Sequence, residues 1–153
     1  MILLTTLNSR FAHTSIALRY LFANLKELKN DAKILEFSIN DNPQNIAEKL
    51  LLHSPSIIGI GEYIWNATYV KELLHIIKKV SPKTVVVLGG PEVSHEPIRV
   101  DFSAADYIVQ GEGDLAFYKL CRSILDGEKT ERIIKMSMPS LKEIVMPYRY
   151  YTD

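Results

Sequence analysis

Residues 84–91 read Thr84-Val-Val-Val-Leu-Gly-Gly-Pro91, which is the clearest strand signal in the chain. An uninterrupted apolar run rich in β-branched residues is typical of a central parallel strand that is covered on both faces. Glycine and proline then interrupt regular structure, so the strand is predicted to end at Leu88. The stretch indicates a domain in which helices pack on both sides of a parallel sheet.

Similar short apolar runs recur along the chain and alternate with longer segments of helical periodicity. In 15–29, apolar residues recur every three or four positions from Leu18 to Leu28, which predicts the first helix. The alternation predicts a flavodoxin-like, three-layer α/β/α fold with a five-stranded parallel sheet in the order 2-1-3-4-5. The predicted strands are 2–6, 34–38, 56–61, 84–88 and 107–109. Asn42, Asn66 and Asp114 are predicted to cap the second, third and fifth helices, and 92–102 to form at most a short or irregular fourth helix.

The length of 153 residues is sufficient for one domain with its own core. From Glu128 onward the periodic pattern decays into isolated apolar residues, with prolines at Pro139 and Pro147. We therefore predict one domain over 1–127 and a linker over 128–153.

Charge and composition exclude several classes of function. Lys plus Arg equals Asp plus Glu at 18 each, so nothing favours binding to nucleic acid or to anionic lipid. The apolar runs are far shorter than the roughly 20 residues that cross a bilayer, and the first residues lack the features of a signal peptide. We expect a cytoplasmic protein without nucleic-acid or membrane partners. Cys121 is the only cysteine, which excludes an internal disulfide or a multi-thiolate cluster in this chain, and its position on an apolar helical stripe predicts burial.

A ligand is expected at the carboxyl ends of the strands, where the strand order reverses between the first and third strands. Four of the seven glycines follow the fourth and fifth strands there, and short hydroxyl and amide side chains fill much of the rest. Such an edge suits a large, uncharged, amide-rich ligand held by many hydrogen bonds, although each glycine pair alone could be a plain turn. The candidate cofactor-binding residues are Thr5, Thr6, Leu7, Asn8, Ser9, Glu62, Tyr63, Trp65, Asn66, Gly89, Gly90, Pro91, Glu92, Gly111, Glu112 and Gly113.

Familiar phosphate-binding motifs are absent. The pair Gly59-Ile-Gly61 lies in a strand and has Ile64 where a dinucleotide fingerprint needs its third glycine, and there is no Walker loop. A response-regulator receiver would need acidic residues after the first strand, where this chain has Thr5-Thr6. A flavodoxin-like phosphate loop for flavin mononucleotide stays open, because 5–9 has the hydroxyl groups but no glycine.

Four motifs resemble the N-terminal cobalamin-binding domain of the B12-dependent radical SAM superfamily. They are Leu4-Thr-Thr-Leu-Asn-Ser-Arg-Phe-Ala-His-Thr14, Gly59-Ile-Gly61 ahead of Trp65-Asn66, Val87-Leu-Gly-Gly-Pro-Glu-Val93 and Ala105-Asp-Tyr-Ile-Val-Gln-Gly-Glu-Gly-Asp114. The most specific feature is the pairing of the third motif with the fourth. The resemblance covers about residues 1–127, and the segment Ser140-Leu-Lys-Glu-Ile-Val-Met-Pro-Tyr148 is similar to the segment that leads into the radical SAM barrel.

The resemblance implies a cobalamin-binding module whose partner is a C-terminal radical SAM domain of the same polypeptide. The B12-dependent radical SAM superfamily includes methyltransferases and the anaerobic magnesium-protoporphyrin monomethyl ester oxidative cyclase. The full-length protein would also hold a [4Fe–4S] cluster and S-adenosylmethionine. The cluster needs three cysteines in a Cys-x-x-x-Cys-x-x-Cys loop, so this chain, with Cys121 alone, is not expected to catalyse the radical reaction by itself.

The chain departs from the wider cobalamin family in its histidines. Many cobalamin domains carry Asp-x-His-x-x-Gly, whose histidine ligates cobalt, and none of His13, His53, His75 and His95 lies in such a motif. The resemblance then implies base-off binding without a protein ligand, or a member that has lost cobalamin. His13 and His95 could still lie beside a ligand, whereas His53 and His75 are predicted to be surface residues in helices. Trp65 is the best candidate for covering a flat macrocycle, with core packing as the alternative.

Three functional hypotheses follow. The first is a cobalamin-binding module of a methyltransferase or an oxidative cyclase. The second is a flavodoxin-like redox protein that binds flavin mononucleotide, and the third is a cofactor-free interaction domain. Ligand titration distinguishes them.

Overall fold

Strands and helices alternate along residues 1–9, 14–94, 101–111, 113–136 and 144–150, which are the residues that the computed structural model describes. The strands are β1 (Ile2–Asn8), β2 (Ala32–Ser38), β3 (Ile57–Gly61), β4 (Val85–Gly89), β5 (Tyr107–Gly111) and β6 (Ile133–Met136). The α-helices are α1 (Ile16–Ala23), α2 (Pro43–Leu51), α3 (Ala67–Val80), α4 (Pro91–Ser94) and α5 (Asp114–Leu125). Two 3₁₀ helices cover Lys26–Asp31 and Tyr148–Tyr150.

The described strands form one parallel sheet in the order β2-β1-β3-β4-β5-β6. The predicted fold class and the predicted order of the first five strands are confirmed. The strand predicted at 84–88 is observed as β4, Val85–Gly89, which lies between β3 and β5 with Val86 and Leu88 fully buried. Because the order reverses between β1 and β3, the carboxyl ends of these strands border the edge where parallel sheets bind ligands.

The prediction of five strands was wrong, because β6 lies in the segment that the sequence assigned to the linker. Only Ile133 and Ile134 suggest a strand there, and they follow a charged stretch, so local pattern was insufficient. The strand depends on its partner: Ile133 and Ile134 lie opposite Ile108 and Val109 of β5. The Arg132 side chain donates hydrogen bonds to the carbonyls of Phe102 (2.8 Å) and Ala105 (3.3 Å), which ties the start of β6 to the chain before β5.

Two apolar clusters cover the two faces of the sheet and produce the three predicted layers. On one face, alternate strand residues such as Leu3 and Ile58 pack with α2 and α3. On the other face, Leu4 and Val87 pack with α1 and α5. Cys121 of α5 belongs to the second cluster and is fully buried, as predicted, and desolvation raises the pKa of its thiol to about 12. The thiol therefore stays protonated and unreactive at neutral pH.

The first helix is shorter than the predicted 15–29. It ends at Ala23, and Asn24 caps it by donating a side-chain hydrogen bond to the Tyr20 carbonyl (2.8 Å). Lys26 has a left-handed φ of 52°, so the chain turns before the 3₁₀ helix Lys26–Asp31. Leu25 and Leu28 still contact the core, which is why the apolar periodicity continued past the real helix end.

The predicted helix caps are only partly observed in the structure. The Ser15 hydroxyl caps α1 and Asn42 caps α2 ahead of Pro43, the latter as predicted. Asp114 is the first residue of α5 rather than its cap, which is Gly113. Within the described residues, no helix combines the length and the apolar composition needed to cross a bilayer.

Candidate functional site

A cavity of about 450 Å³ opens at the carboxyl ends of β3, β4 and β5, between the sheet and helices α1 and α5. Its walls are apolar side chains and glycine backbone, and Tyr63 and Asp114 contribute the polar side chains among the described lining residues. A cavity of this size and lining suits an uncharged, mainly apolar group rather than a phosphate cluster. Its lining residues are Ala17, Leu18, Leu21, Gly59, Ile60, Gly61, Tyr63, Val87, Leu88, Gly89, Gly90, Pro91, Val109, Gly111, Gly113, Asp114 and Phe117.

Six of the candidate residues from the sequence line this cavity. They are Tyr63, Gly89, Gly90, Pro91, Gly111 and Gly113. The two glycine pairs that follow β4 and β5 therefore do meet at one place, as their positions in the sequence predicted.

Gly90 is required by the protein's own backbone. Its φ is +123°, and a Cβ built there would lie 2.1 Å from the carbonyl oxygen of Glu62. The Glu62 N–H donates a 2.8 Å hydrogen bond to the Gly89 carbonyl, which holds the two turns together. The sequence attributed this glycine to ligand contact, but the side from which a side chain would project is filled by the loop after β3.

Gly113 differs from Gly90 both in its backbone conformation and in the space around its Cβ position. Its φ of −85° is open to any residue, and a Cβ there would meet only Val109 and Leu21 at 3.7 and 3.8 Å, which is ordinary van der Waals contact. Val109 and Leu21 both line the cavity. Neither backbone conformation nor crowding demands glycine at 113, and the missing side chain leaves the cavity open.

Four candidates that the sequence placed at the end of the first strand, Thr5, Thr6, Leu7 and Asn8, lie within β1 and do not line this cavity. Thr5, Thr6 and Leu7 are fully buried. The Thr6 hydroxyl donates to the Gly61 carbonyl at 2.7 Å, so it joins β1 to β3 inside the sheet edge. Asn8 is half-buried and donates to Glu36 at 3.2 Å.

Four further candidates are placed as follows. Ser9 is half-buried and Glu62 is fully buried, and neither is a lining residue. Glu112 and the side chain of Glu92 lie outside the described part of the structure, as do His13 and His95. Neither His53, half-buried, nor His75, exposed, lines the cavity.

Asn66 occupies the predicted cap position of α3, but its side chain makes no capping hydrogen bond and does not line the cavity, so its role is to position the loop. It is fully buried, and its amide nitrogen lies 3.0 Å from the Leu7 carbonyl and 3.3 Å from the Gly61 carbonyl. Its amide oxygen accepts from the Tyr63 N–H at 2.8 Å. One side chain thus fixes the loop after β3 to the ends of β1 and β3.

Replacing Asn66 by aspartate is expected to destabilise the protein by about 2 kcal/mol or more. The carboxylate can still accept from Tyr63, but it cannot donate to the buried carbonyls of Leu7 and Gly61, and it carries a charge into the interior. Urea denaturation measures the loss. The matched control is Asn42→Asp, the same chemical change at an exposed helix cap where aspartate serves equally well. Equal stability of the two variants would contradict the positioning role.

The loop held by Asn66 presents a flat aromatic surface at the cavity rim. The rings of Tyr63 and Trp65 stack with centroids 4.5 Å apart and an interplanar angle of 4°. Trp65 remains 45% exposed, so it is not a core residue. Tyr63 lines the cavity, whereas Trp65 is not one of its lining residues. The core-packing alternative for Trp65 is therefore excluded.

The sequence missed the wall that α1 and α5 contribute. Ala17, Leu18 and Leu21 of α1 and Phe117 of α5 all line the cavity. Leu18, Leu21 and Phe117 belong to the apolar stripes that predicted helix packing on the sheet. No local signal separates an apolar residue that faces another side chain from one that faces a cavity, because both follow the helical period.

Comparison with known proteins identifies the family. The family model described as B12 binding domain matches residues 2–121, most of the chain. The chain belongs to the B12-binding domain family. An uncharacterized methyltransferase of Pyrococcus horikoshii, PH0819, is 27% identical to this B12-binding domain over 125 residues, which are 80% of this chain and 27% of the relative.

Two solved structures share the fold of this B12-binding domain. The cobalamin-dependent S-adenosylmethionine radical enzyme OxsB, with aqua-cobalamin and S-adenosylmethionine bound, superposes with a TM-score of 0.72 at 15% identity, over 95% of this chain and 24% of that one. The radical S-adenosylmethionine methyltransferase TsrM of Kitasatospora setae, with cobalamin and a [4Fe–4S] cluster bound, has a TM-score of 0.63 at 18% identity, over 84% of this chain and 25% of that one. The cobalamin-binding part of the expected resemblance is confirmed by the family model, and these two radical SAM enzymes share the fold of the domain. The chain spans about a quarter of the length of each of these three relatives.

Proposed function

We propose that this domain binds cobalamin at the carboxyl edge of its sheet, with the nucleotide base of the cofactor in the cavity between α1 and α5 and the corrin ring over the rim. The observation that carries the proposal is the open, apolar cavity beside Gly113, where neither φ nor crowding demands glycine. An aromatic base is a flat and largely apolar group, which such a cavity accepts with the release of water from both surfaces.

The rim of the cavity suits the corrin ring of the cofactor. A corrin is a broad ring with peripheral amides, and backbone at Gly89, Gly90 and Gly111 can approach such a ring closely because no side chain intervenes. The exposed Trp65, stacked on Tyr63, offers a flat apolar surface beside it.

In the intact enzyme, bound cobalamin would supply the cobalt centre for methyl transfer or a related radical step. The contribution of this chain is to hold the cofactor, to exclude water from the base through α1 and α5, and to keep one face of the corrin accessible. A radical SAM domain elsewhere in the same polypeptide, with its [4Fe–4S] cluster and S-adenosylmethionine, would be the partner. Methyl transfer is the reaction class that the names of two of the relatives support, whereas a cyclase has no such support.

A paired titration tests the proposal. Hydroxocobalamin is added to the protein, and the visible absorbance of the cofactor is followed. The same titration is then made with cobinamide, which keeps the corrin but lacks the nucleotide tail. We expect a saturable change of the hydroxocobalamin absorbance to the spectrum of the base-off form, because a base held in the cavity has left the cobalt. Burial of the base offsets the loss of that cobalt–nitrogen bond by a factor of ten in affinity for every ~1.4 kcal/mol. Cobinamide has no base to displace and should bind without this conversion.

The alternatives make different predictions in the same assay. Flavin mononucleotide fluorescence that is quenched by the protein, without any response to hydroxocobalamin, would replace the proposal with the flavin hypothesis. If neither the hydroxocobalamin absorbance nor the flavin fluorescence changes, the hypothesis of a cofactor-free interaction domain is left. Binding of hydroxocobalamin with its base-on spectrum retained would show that the base does not occupy the cavity.

A further inference from the structure

Residues 144–150, which follow the sheet, lie back against the outer side of α1 and the 3₁₀ helix Lys26–Asp31. The sequence predicted a linker here. Pro147 is buried, although it lies between exposed residues. We call residues 144–150 the strap.

Asn24 makes the central contact with the strap. Its amide nitrogen donates to the Val145 carbonyl at 3.0 Å, and its amide oxygen accepts from the Val145 N–H at 2.8 Å. The side chain therefore pairs with both backbone groups of one residue, as a neighbouring β-strand would. Asn24 is 1% exposed and also caps α1 through the Tyr20 carbonyl, so the end of the helix and the strap share one buried amide.

Aromatic contacts extend the attachment on both sides of Asn24. Tyr150 packs edge-on against Phe22 with ring centroids 5.0 Å apart, and its hydroxyl lies 3.1 Å from the Lys29 ammonium group. The Tyr20 hydroxyl lies 3.5 Å from the sulfur of Met146. The strap thus contacts α1, the residue that caps it and the 3₁₀ helix.

The inner side of the same helix forms the cavity wall through Ala17, Leu18 and Leu21. With only eight residues, α1 is shorter than the length at which helices are stable by themselves, so its position depends on what packs against it. The strap supports α1 from outside, and a ligand in the cavity would support it from inside.

We propose that docking of the strap on α1 holds the cavity wall in place, so that strap docking and ligand binding in the cavity strengthen each other. This coupling rests on the proposed function for the identity of the ligand. The coupling is reciprocal by thermodynamic necessity: a ligand that binds better with the strap docked must also favour docking.

The test uses the full chain with Val145→Pro. This substitution removes the backbone N–H that donates a hydrogen bond to the amide oxygen of Asn24. The Val145 side chain is 45% exposed, so Val145→Ala is a matched control that keeps the N–H and leaves the core untouched. Hydrogen exchange of the α1 amides is measured first without ligand, and hydroxocobalamin affinity is measured second. We expect faster exchange in α1 and affinity about 5-fold to 50-fold lower for Val145→Pro than for Val145→Ala.

Each outcome is decisive for one of the two proposals. Unchanged α1 exchange in Val145→Pro would overturn the supporting role of the strap. Faster exchange with unchanged cobalamin affinity would overturn the coupling. If the unaltered protein does not bind hydroxocobalamin while α1 exchange still rises in Val145→Pro, the proposed function fails and the structural role of the strap stands.

Discussion

Replacing Gly113 by leucine is expected to abolish cobalamin binding, with affinity reduced at least about a hundredfold, while the protein stays folded. The φ of −85° accepts leucine, and the new Cβ meets only Val109 and Leu21 at ordinary contact distances. The rest of the side chain then occupies the space that we assign to the nucleotide base. A hundredfold loss corresponds to about 2.7 kcal/mol, the scale of burying a base-sized apolar group.

The measurement is the hydroxocobalamin titration, with circular dichroism and thermal unfolding to establish that the variant is folded. Gly113→Ala is the matched control, because a single methyl group at this position contacts the wall without filling the cavity. It should retain most of the affinity. Cobinamide affinity should change less than hydroxocobalamin affinity in Gly113→Leu. If Gly113→Leu binds hydroxocobalamin as the unaltered protein does, the base does not occupy this cavity.

Replacing Gly90 by alanine is expected to lower the free energy of unfolding by about 3 kcal/mol or more. Two costs combine: the φ of +123° is unfavourable for a residue with a side chain, and the added Cβ would lie 2.1 Å from the Glu62 carbonyl oxygen. The turn after β4 or the loop after β3 must move to relieve the contact. Urea denaturation measures the loss.

Gly127→Ala separates the two costs. Gly127 also has a positive φ, +75°, but a Cβ there would meet nothing within 4 Å. The free energy of unfolding of this variant should fall by only about 1–2 kcal/mol, which is the cost of a left-handed backbone conformation for alanine. If Gly90→Ala proves no more destabilising than Gly127→Ala, the close approach of Glu62 is not the reason for the glycine.

Both experiments distinguish roles that the sequence could not separate. Gly90 and Gly113 belong to two similar glycine-containing turns, and both were predicted to admit a ligand. The structure assigns Gly90 to a contact between two loops that are 28 positions apart in the chain and leaves Gly113 as the position that keeps the cavity open. The distinction depends on which backbone passes beside each Cβ position.

Local pattern was sufficient for most of the fold. The apolar run that became β4, the cap at Asn42 and the order of the first five strands follow from periodicity, turn residues and the handedness of crossovers. These features are encoded within windows of a few residues, or by rules that hold for every parallel sheet. The motifs after β4 and β5 also indicated the family.

Tertiary structure alone decided β6, the C-terminal end of α1 and the inner wall of the site. Ile133 and Ile134 form a strand by pairing with β5, and Asn24 is buried where its side chain bonds the strap. Thr6 and Asn66 carry the polar groups expected of a ligand site, yet they satisfy carbonyls within the protein. The physical reason is the same in each case: hydrogen bonding and burial are set by partners distant in sequence, whereas periodicity records only which face of an element is apolar.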